Sequence, residues 1–196
     1  MKIVIGIDEV GRGPIAGPVT VCALQLKVES LKLKVVQIPL RDSKKLSRVQ
    51  RELWFAQIKM WQREGKCDFC VSSVSAQTID RIGIVPAINR ALTRSLGVLH
   101  IRHGVYEVQI LLDGGLRAPK EFKKQKTIIK GDEKEPAIAL ASIVAKVTRD
   151  RHMTRMAKRF PEYGFDSHVG YGTRAHYSAI KQHGLSPLHR KTFLGL

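Results

Sequence analysis

The segment that most constrains the fold of this chain is EPAIALASIVAKV, Glu135 to Val147. From Pro136 to Ala145 it has no charged side chain, and a helix of that composition must be buried, because a surface helix shows one apolar stripe and one polar face. Ala137, Ala139, Ala141, Ser142 and Ala145 let its backbone approach a neighbour closely, which predicts tight packing on a sheet. Past Lys146 the pattern becomes amphipathic and basic. Arg149, Arg151, Arg155, Lys158 and Arg159 are expected to keep that half in water.

A sheet to cover this helix is supplied by runs rich in Val and Ile and bounded by Gly or Pro. Strands are expected at Ile3 to Asp8, Val19 to Leu26, Leu33 to Ile38, Lys66 to Val74 and Val105 to Asp113. Ser47 is a suitable N-cap for a helix from Arg48 to Arg63, with Leu53, Ile58 and Trp61 facing inward. Ile84 to Leu99 predicts another helix, with Pro86 in its first turn, and Arg174 to His183 a shorter one. The early strands follow one another and the later ones are separated by helices. That order predicts an α/β fold, a central mixed sheet flanked by helices, in one domain of residues 1–196 with a helical C-terminal part over 150–196.

Charge narrows the partners. Lys and Arg number 34 against 17 Asp and Glu, a net +17 that attracts polyanions, nucleic acid before an anionic membrane. No stretch reaches the roughly 18 apolar residues of a membrane span, and MKIVIGID lacks a leader's cleavage region. The expectation is a soluble, cytoplasmic protein, monomeric by default. The odd number of cysteines, Cys22, Cys67 and Cys70, argues against a disulfide framework. Cys67 and Cys70 form a C-x-x-C without the second pair a structural zinc site needs, and a strand would turn them to opposite faces.

The acids point to chemistry. Asp8 and Glu9 end the first strand, followed at once by a loop of glycines and prolines; both reach one site only if Glu9 lies where the chain has begun to turn. Asp113 ends a second apolar strand before two glycines, and Asp132 follows Lys130 and Gly131 just ahead of the buried helix. Taken singly, each also fits a turn, a helix cap or a solvated strand end. Gathered together they repel one another unless cations neutralise them. Hard oxygen ligands suit Mg²⁺ or Mn²⁺, and two such ions about 3.5–4 Å apart stabilise the attacking and leaving oxygens of a phosphoryl displacement. A two-metal nuclease is one reading. The alternative is a non-catalytic basic nucleic-acid-binding protein that keeps the acids for structure, although a pure binder gains nothing from acids where phosphates dock. A serine triad at Ser142 is rejected, since it lies in the buried half of a helix with no evident base.

Six segments in order resemble ribonuclease HII: G-I-D-E-V-G-R-G-P from Gly6, D-S-K-K-L-S from Asp42, L-D-G from Leu112, K-G-D from Lys130, A-S-I-V-A-K-V-T-R-D-R from Ala141, and Y-G-F with H-x-G-Y-G-T-x-x-H between Tyr163 and His176. The resemblance implies a ribonuclease H-like fold. It implies cleavage of RNA in RNA–DNA hybrids and incision 5′ of ribonucleotides embedded in duplex DNA, leaving 3′-hydroxyl and 5′-phosphate ends. Asp8, Glu9, Asp113 and Asp132 would be the catalytic acids holding two Mn²⁺ or Mg²⁺ ions. The G-R-G backbone of Gly11, Arg12 and Gly13 would touch the ribose 2′-hydroxyl, the group that separates RNA from DNA, where glycine allows a close approach. Tyr171 would pack on the next sugar, Ser43, Lys44 and Lys45 would form a phosphate-contacting loop, and Lys146 would join the substrate contacts. Tyr163 is expected to be a core or loop aromatic. The chain departs from the family's frequent H-K-G-Y at Val169, so a basic contact there is either missing or supplied by Arg174.

Overall fold

The structure is a computed structural model and describes residues 3–27, 43, 45–103 and 108–196. Five strands, β1 Ile3–Val10, β2 Val19–Lys27, β3 Cys67–Val74, β4 Gln109–Asp113 and β5 Gln125–Ile128, form one sheet in the order β3-β2-β1-β4-β5. The first three neighbours run antiparallel, whereas β4 lies parallel to β1 and β5 parallel to β4. β1 is therefore central, and its alternating side chains feed both cores: Ile5 and Ile7 one, Val4 the other. The expected strand over 33–38 and the first residues of the one from Val105 lie outside the described residues. β5 was not foreseen, because QKTI is short and polar and gains its order only by pairing along β4.

The helices are α1 Arg48–Arg63, α2 Ala76–Ile82, α3 Ile84–His103, α4 Gly131–Lys134, α5 Pro136–Arg159, α6 Phe165–His168 and α7 Arg174–His183. α1 starts at a full capping box, with Ser47 and Gln50 each bonded to the other's backbone. α2, which strand and helix patterns in the sequence did not separate, is capped by Ser75. α2 and α3 cover one face of the sheet; α1 and α5 cover the other. α5 lies so close over β1 that a Cβ on Gly6 would strike the backbone of Ala137, the close approach that its small residues predicted. The C-terminal turns, α6 and α7, pack over Ala16, Met153, Tyr163 and Phe165.

Two expectations are corrected. Leu53 is 51% exposed, and Trp54 takes its place beside Ile58 and Trp61. The five-residue step from Leu53 to Ile58 turns through about 140° on a helix, whereas Trp54, Ile58 and Trp61 follow the 4 and 3 spacing of one face. Arg149 does not stay in water: it is 1% exposed, drawn inward by backbone carbonyls of Ala16, Pro18 and Val169. Cys67 and Cys70 are free thiols on opposite sheet faces, and burial pushes the Cys67 thiol up to about 12. Among the described residues no helix is long and apolar enough to cross a membrane.

Candidate active site

Parallel pairing of β1 with β4 matches Ile7 to Leu112, so the next residues, Asp8 and Asp113, stand side by side at the ends of the two strands. Asp8 is 6% exposed, facing α5, where the Ser142 hydroxyl donates to its carboxylate. The Glu9 backbone N–H donates to Asp8 Oδ1 at 2.7 Å. Burial pushes the Asp8 carboxyl up to about 8; the Ser142 bond opposes this, and the charges of Glu9 and Asp113 add to it. Ser142 thus serves the acid rather than acting as a nucleophile, and its Oγ lies 2.8 Å from Ser43 Oγ.

Glu9 does not lie in a turn. β1 runs on to Val10, with Glu9 paired to Val21, yet the Glu9 carboxylate stays close enough to Asp8 and Asp113 for their charges to act on one another, so the strand end brings the three together without a turn at Glu9. Arg12 Nη1 meets Glu9 Oε1 at 2.9 Å. Burial raises the Glu9 carboxyl, Arg12 counteracts, and the Asp113 charge raises it further. Asp113 Oδ1 accepts from the Gly131 N–H at 2.7 Å, across the turn where Lys130 adopts φ 54°. Asp132 follows, buried in the first turn of α4. The fold brings Asp8, Glu9 and Asp113 within electrostatic reach of one another and ties Asp132's segment to Asp113. Among the described residues no group of three or more His, Cys, Asp or Glu side chains is arranged to hold a metal as it stands. The donor chemistry does fit Mg²⁺ or Mn²⁺: all are carboxylates, and a cation there would favour the charged form of Asp8 that burial disfavours.

Beside the acids, the 11–18 loop turns on Gly11 at φ 89°, where a Cβ would collide with Arg149 and come within 2.6 Å of the Pro18 carbonyl oxygen. Arg12 and Gly13 are exposed, and a Cβ on Gly13 would meet nothing within 4 Å. Tyr171 stands next to this loop, 44% exposed, on a turn with Val169 at φ 45° and Gly170 at φ 89°. Ala16 N–H donates to Gly170 O at 3.2 Å, and a Cβ on Gly170 would strike the Ala16 carbonyl, so turn and loop touch through bare backbone. Tyr163 is buried and stacked on Phe165, as expected.

The other substrate candidates are placed differently. Ser43 is buried with its hydroxyl on Ser142, and Lys44 lies outside the described residues. Lys45 Nζ sits 2.7 Å from Glu133, over the rim of α4. Lys146 is half-buried and paired with Asp150 at 2.9 Å; burial lowers its ammonium pKa. Two residues that sequence reasoning missed are Arg149 and Arg190, both buried beneath the glycine loop. For Arg149 there was a signal: it falls seven residues after Ser142, two turns along the same face.

Comparison with known proteins agrees with this geometry. Residues 5–195 match the family model described as Ribonuclease HII. Ribonuclease HII of Thermosynechococcus vestitus is 43% identical over 191 residues, which is 97% of this chain and 83% of that protein. The structure of the PCNA:RNase HII complex from Archaeoglobus fulgidus includes a chain superposing with a TM-score of 0.71 at 25% identity, over 96% of this chain and 93% of that one. Bst-RNase HIII in complex with Mn²⁺ shares the fold, with a TM-score of 0.71 at 17% identity over 99% of this chain and 70% of that one. Matched over nearly its whole length in sequence, and over nearly its whole length in fold, the chain belongs to the ribonuclease HII family.

Proposed function

We propose that this chain cuts the RNA strand of RNA–DNA hybrids, and incises 5′ of single ribonucleotides in duplex DNA, with Asp8, Glu9, Asp113 and Asp132 holding two Mg²⁺ or Mn²⁺ ions. Membership of the family makes it a metal-dependent endoribonuclease acting on RNA–DNA hybrids. The observation that supports the residue assignment is the side-by-side placement of Asp8 and Asp113 at the ends of parallel strands, with the Asp8 carboxyl at about 8. A non-catalytic binder would have no use for a buried carboxylate beside two others.

Each residue then has a task. Ser142 orients the Asp8 carboxylate, and the Gly131 N–H orients that of Asp113. When bound, the ions supply an activated water at neutral pH and stabilise the departing 3′ oxygen. Gly11 to Gly13 offer backbone to the ribose 2′-hydroxyl, and the half-exposed Tyr171 ring offers a flat face to the adjoining deoxyribose, where a hydroxyl would interfere. The net charge of +17 holds the phosphates. All four acids come from one chain, so a monomer suffices.

The test is incubation with a duplex carrying one ribonucleotide, with Mg²⁺ or Mn²⁺ and then with EDTA. Metal-dependent cutting with 3′-hydroxyl ends is expected from the wild type and none from Asp8→Asn, while Asp8→Asn still binds the duplex. Normal cutting by Asp8→Asn would sink the metal assignment.

A further inference from the structure

Arg149 and Arg190 are 1% and 0% exposed, and among the described residues no carboxylate is hydrogen-bonded to either guanidinium. Buried charges are ordinarily paired. Here backbone carbonyls do the pairing. Arg190 donates from Nη2 to Gly11 O at 2.7 Å, from Nη1 to Arg12 O at 3.0 Å and from Nε to Gly17 O at 2.9 Å. Arg149 donates from Nε to Pro18 O at 2.8 Å, from Nη2 to Ala16 O at 3.1 Å and from Nη1 to Val169 O at 2.8 Å. Five of these six carbonyls belong to the loop of residues 11–18, and the sixth to the turn that carries Tyr171.

The direction of the loop's donors follows from peptide geometry. In a planar trans peptide the C=O and the next N–H point opposite ways, and no peptide bond here is cis. With the Gly11 and Arg12 carbonyls drawn inward to Arg190, the N–H groups of Arg12 and Gly13 are turned outward. Both residues are exposed, and among the described residues no acceptor takes either N–H. Two consecutive outward N–H groups make a small concavity suited to an oxygen.

We propose that Arg190, with Arg149 beside it, is a positioning residue for ribonucleotide recognition: it fixes the Arg12 and Gly13 N–H groups toward the sugar, and Arg149 locks Tyr171's turn to the same loop. The proposal rests on the reading that this loop meets the 2′-hydroxyl. Arginine is required because its planar fork reaches three carbonyls at fixed angles, which a lysine ammonium does not. Phe193, whose ring centre lies 5.0 Å from the Arg190 guanidinium carbon, and the Arg190 N–H bond to Ile15 O at 2.8 Å hold the fork in place.

The experiment uses the full chain in an Asp8→Asn background and measures binding to a duplex with one ribonucleotide and to the same duplex in all-DNA form. The Arg190-intact protein is expected to prefer the ribonucleotide duplex by about tenfold, the scale of a lost hydrogen bond. In Arg190→Lys the preference should fall to within about twofold of unity, by the same reasoning. A preference kept in folded Arg190→Lys overturns the proposal while leaving the loop reading intact. No preference in the Arg190-intact protein overturns the loop reading itself, and the proposal with it. Amide hydrogen exchange in the Asp8→Asn protein gives a second readout that does not depend on Arg190→Lys folding. The Arg12 and Gly13 amides should be protected by the ribonucleotide duplex and not by the all-DNA one; equal exchange in both complexes overturns the proposal.

Discussion

The carboxylate of Asp113 and the backbone N–H of Gly131 meet at 2.7 Å, and this bond joins the end of β4 to the start of α4. The same glycine sits against the long buried helix: a Cβ there would lie 2.5 Å from Ile138 Cδ1 and 3.3 Å from Asp113 Oδ1. Gly131→Ala is therefore expected to lose about 1–3 kcal/mol of stability by overpacking, measured in urea, and to displace Asp113. Mn²⁺ affinity, read by titration, should weaken with it. Unchanged affinity in Gly131→Ala would detach Asp113 from the metal site.

The two glycines that flank Arg12 should answer the same substitution differently. Gly11→Ala forces a side chain onto φ 89° and into Arg149 and Pro18, which should cost about 2–4 kcal/mol. Gly13→Ala meets nothing within 4 Å and should unfold like the wild type. Its methyl group would project where the substrate approaches, so its KM for a ribonucleotide duplex should rise. Equal stability losses at the two positions would contradict this view of the loop.

Metal binding should register as stability, independent of turnover. At a free Mn²⁺ concentration a hundredfold above Kd, binding to the folded state alone adds about 2.7 kcal/mol. For a chain of this length that corresponds to a rise in Tm of about 5–10 °C. Asp8→Asn should lose most of that rise. An identical rise in the variant would place the ion elsewhere.

The histidines under Tyr171 predict an acid-sensitive fold. His176 is buried, its Nε2 3.1 Å from His189 Nε2 and its Nδ1 2.8 Å from Tyr171 O. Burial pushes the His176 ring down to about 4, with the nearby His168 and His189 assisting and the Tyr171 carbonyl opposing. A ring whose folded pKa lies below the unfolded 6.5 takes up protons more readily when unfolded, so stability is full above 6.5 and is lost as pH falls toward 4. The loss should be on the order of 2–3 kcal/mol between these limits. Urea melts across that range check it, and His176→Gln should flatten the slope; an unchanged slope would assign the effect to other groups.

Much of this was readable locally. Ile3 to Val10 and Val19 to Lys27 are apolar runs rich in Val and Ile that abut Gly or Pro, and α1 and α7 begin at side-chain caps, Ser47 and Thr173, so those elements fall close to where the pattern puts them. What stayed hidden had no local signal. β5 is an edge strand of polar residues that exists because β4 offers it a ladder. Trp54 rather than Leu53 faces inward because a rotation of one residue around α1 is invisible until the sheet is in place.

By itself the sequence determined the family and the mixed α/β class and singled out four acids as candidates, because strand ends, glycine turns and a helix of small residues are written in short segments. Only the tertiary structure decided how those parts act together. Parallel pairing set Asp8 beside Asp113, and burial together with the neighbouring Glu9 and Asp113 charges drives the Asp8 carboxyl upward. Arg149 and Arg190, distant from the loop in sequence, turned inward to its backbone carbonyls. The physical reason is that a buried charge is placed by partners from across the whole chain, and those partners meet only when the chain folds.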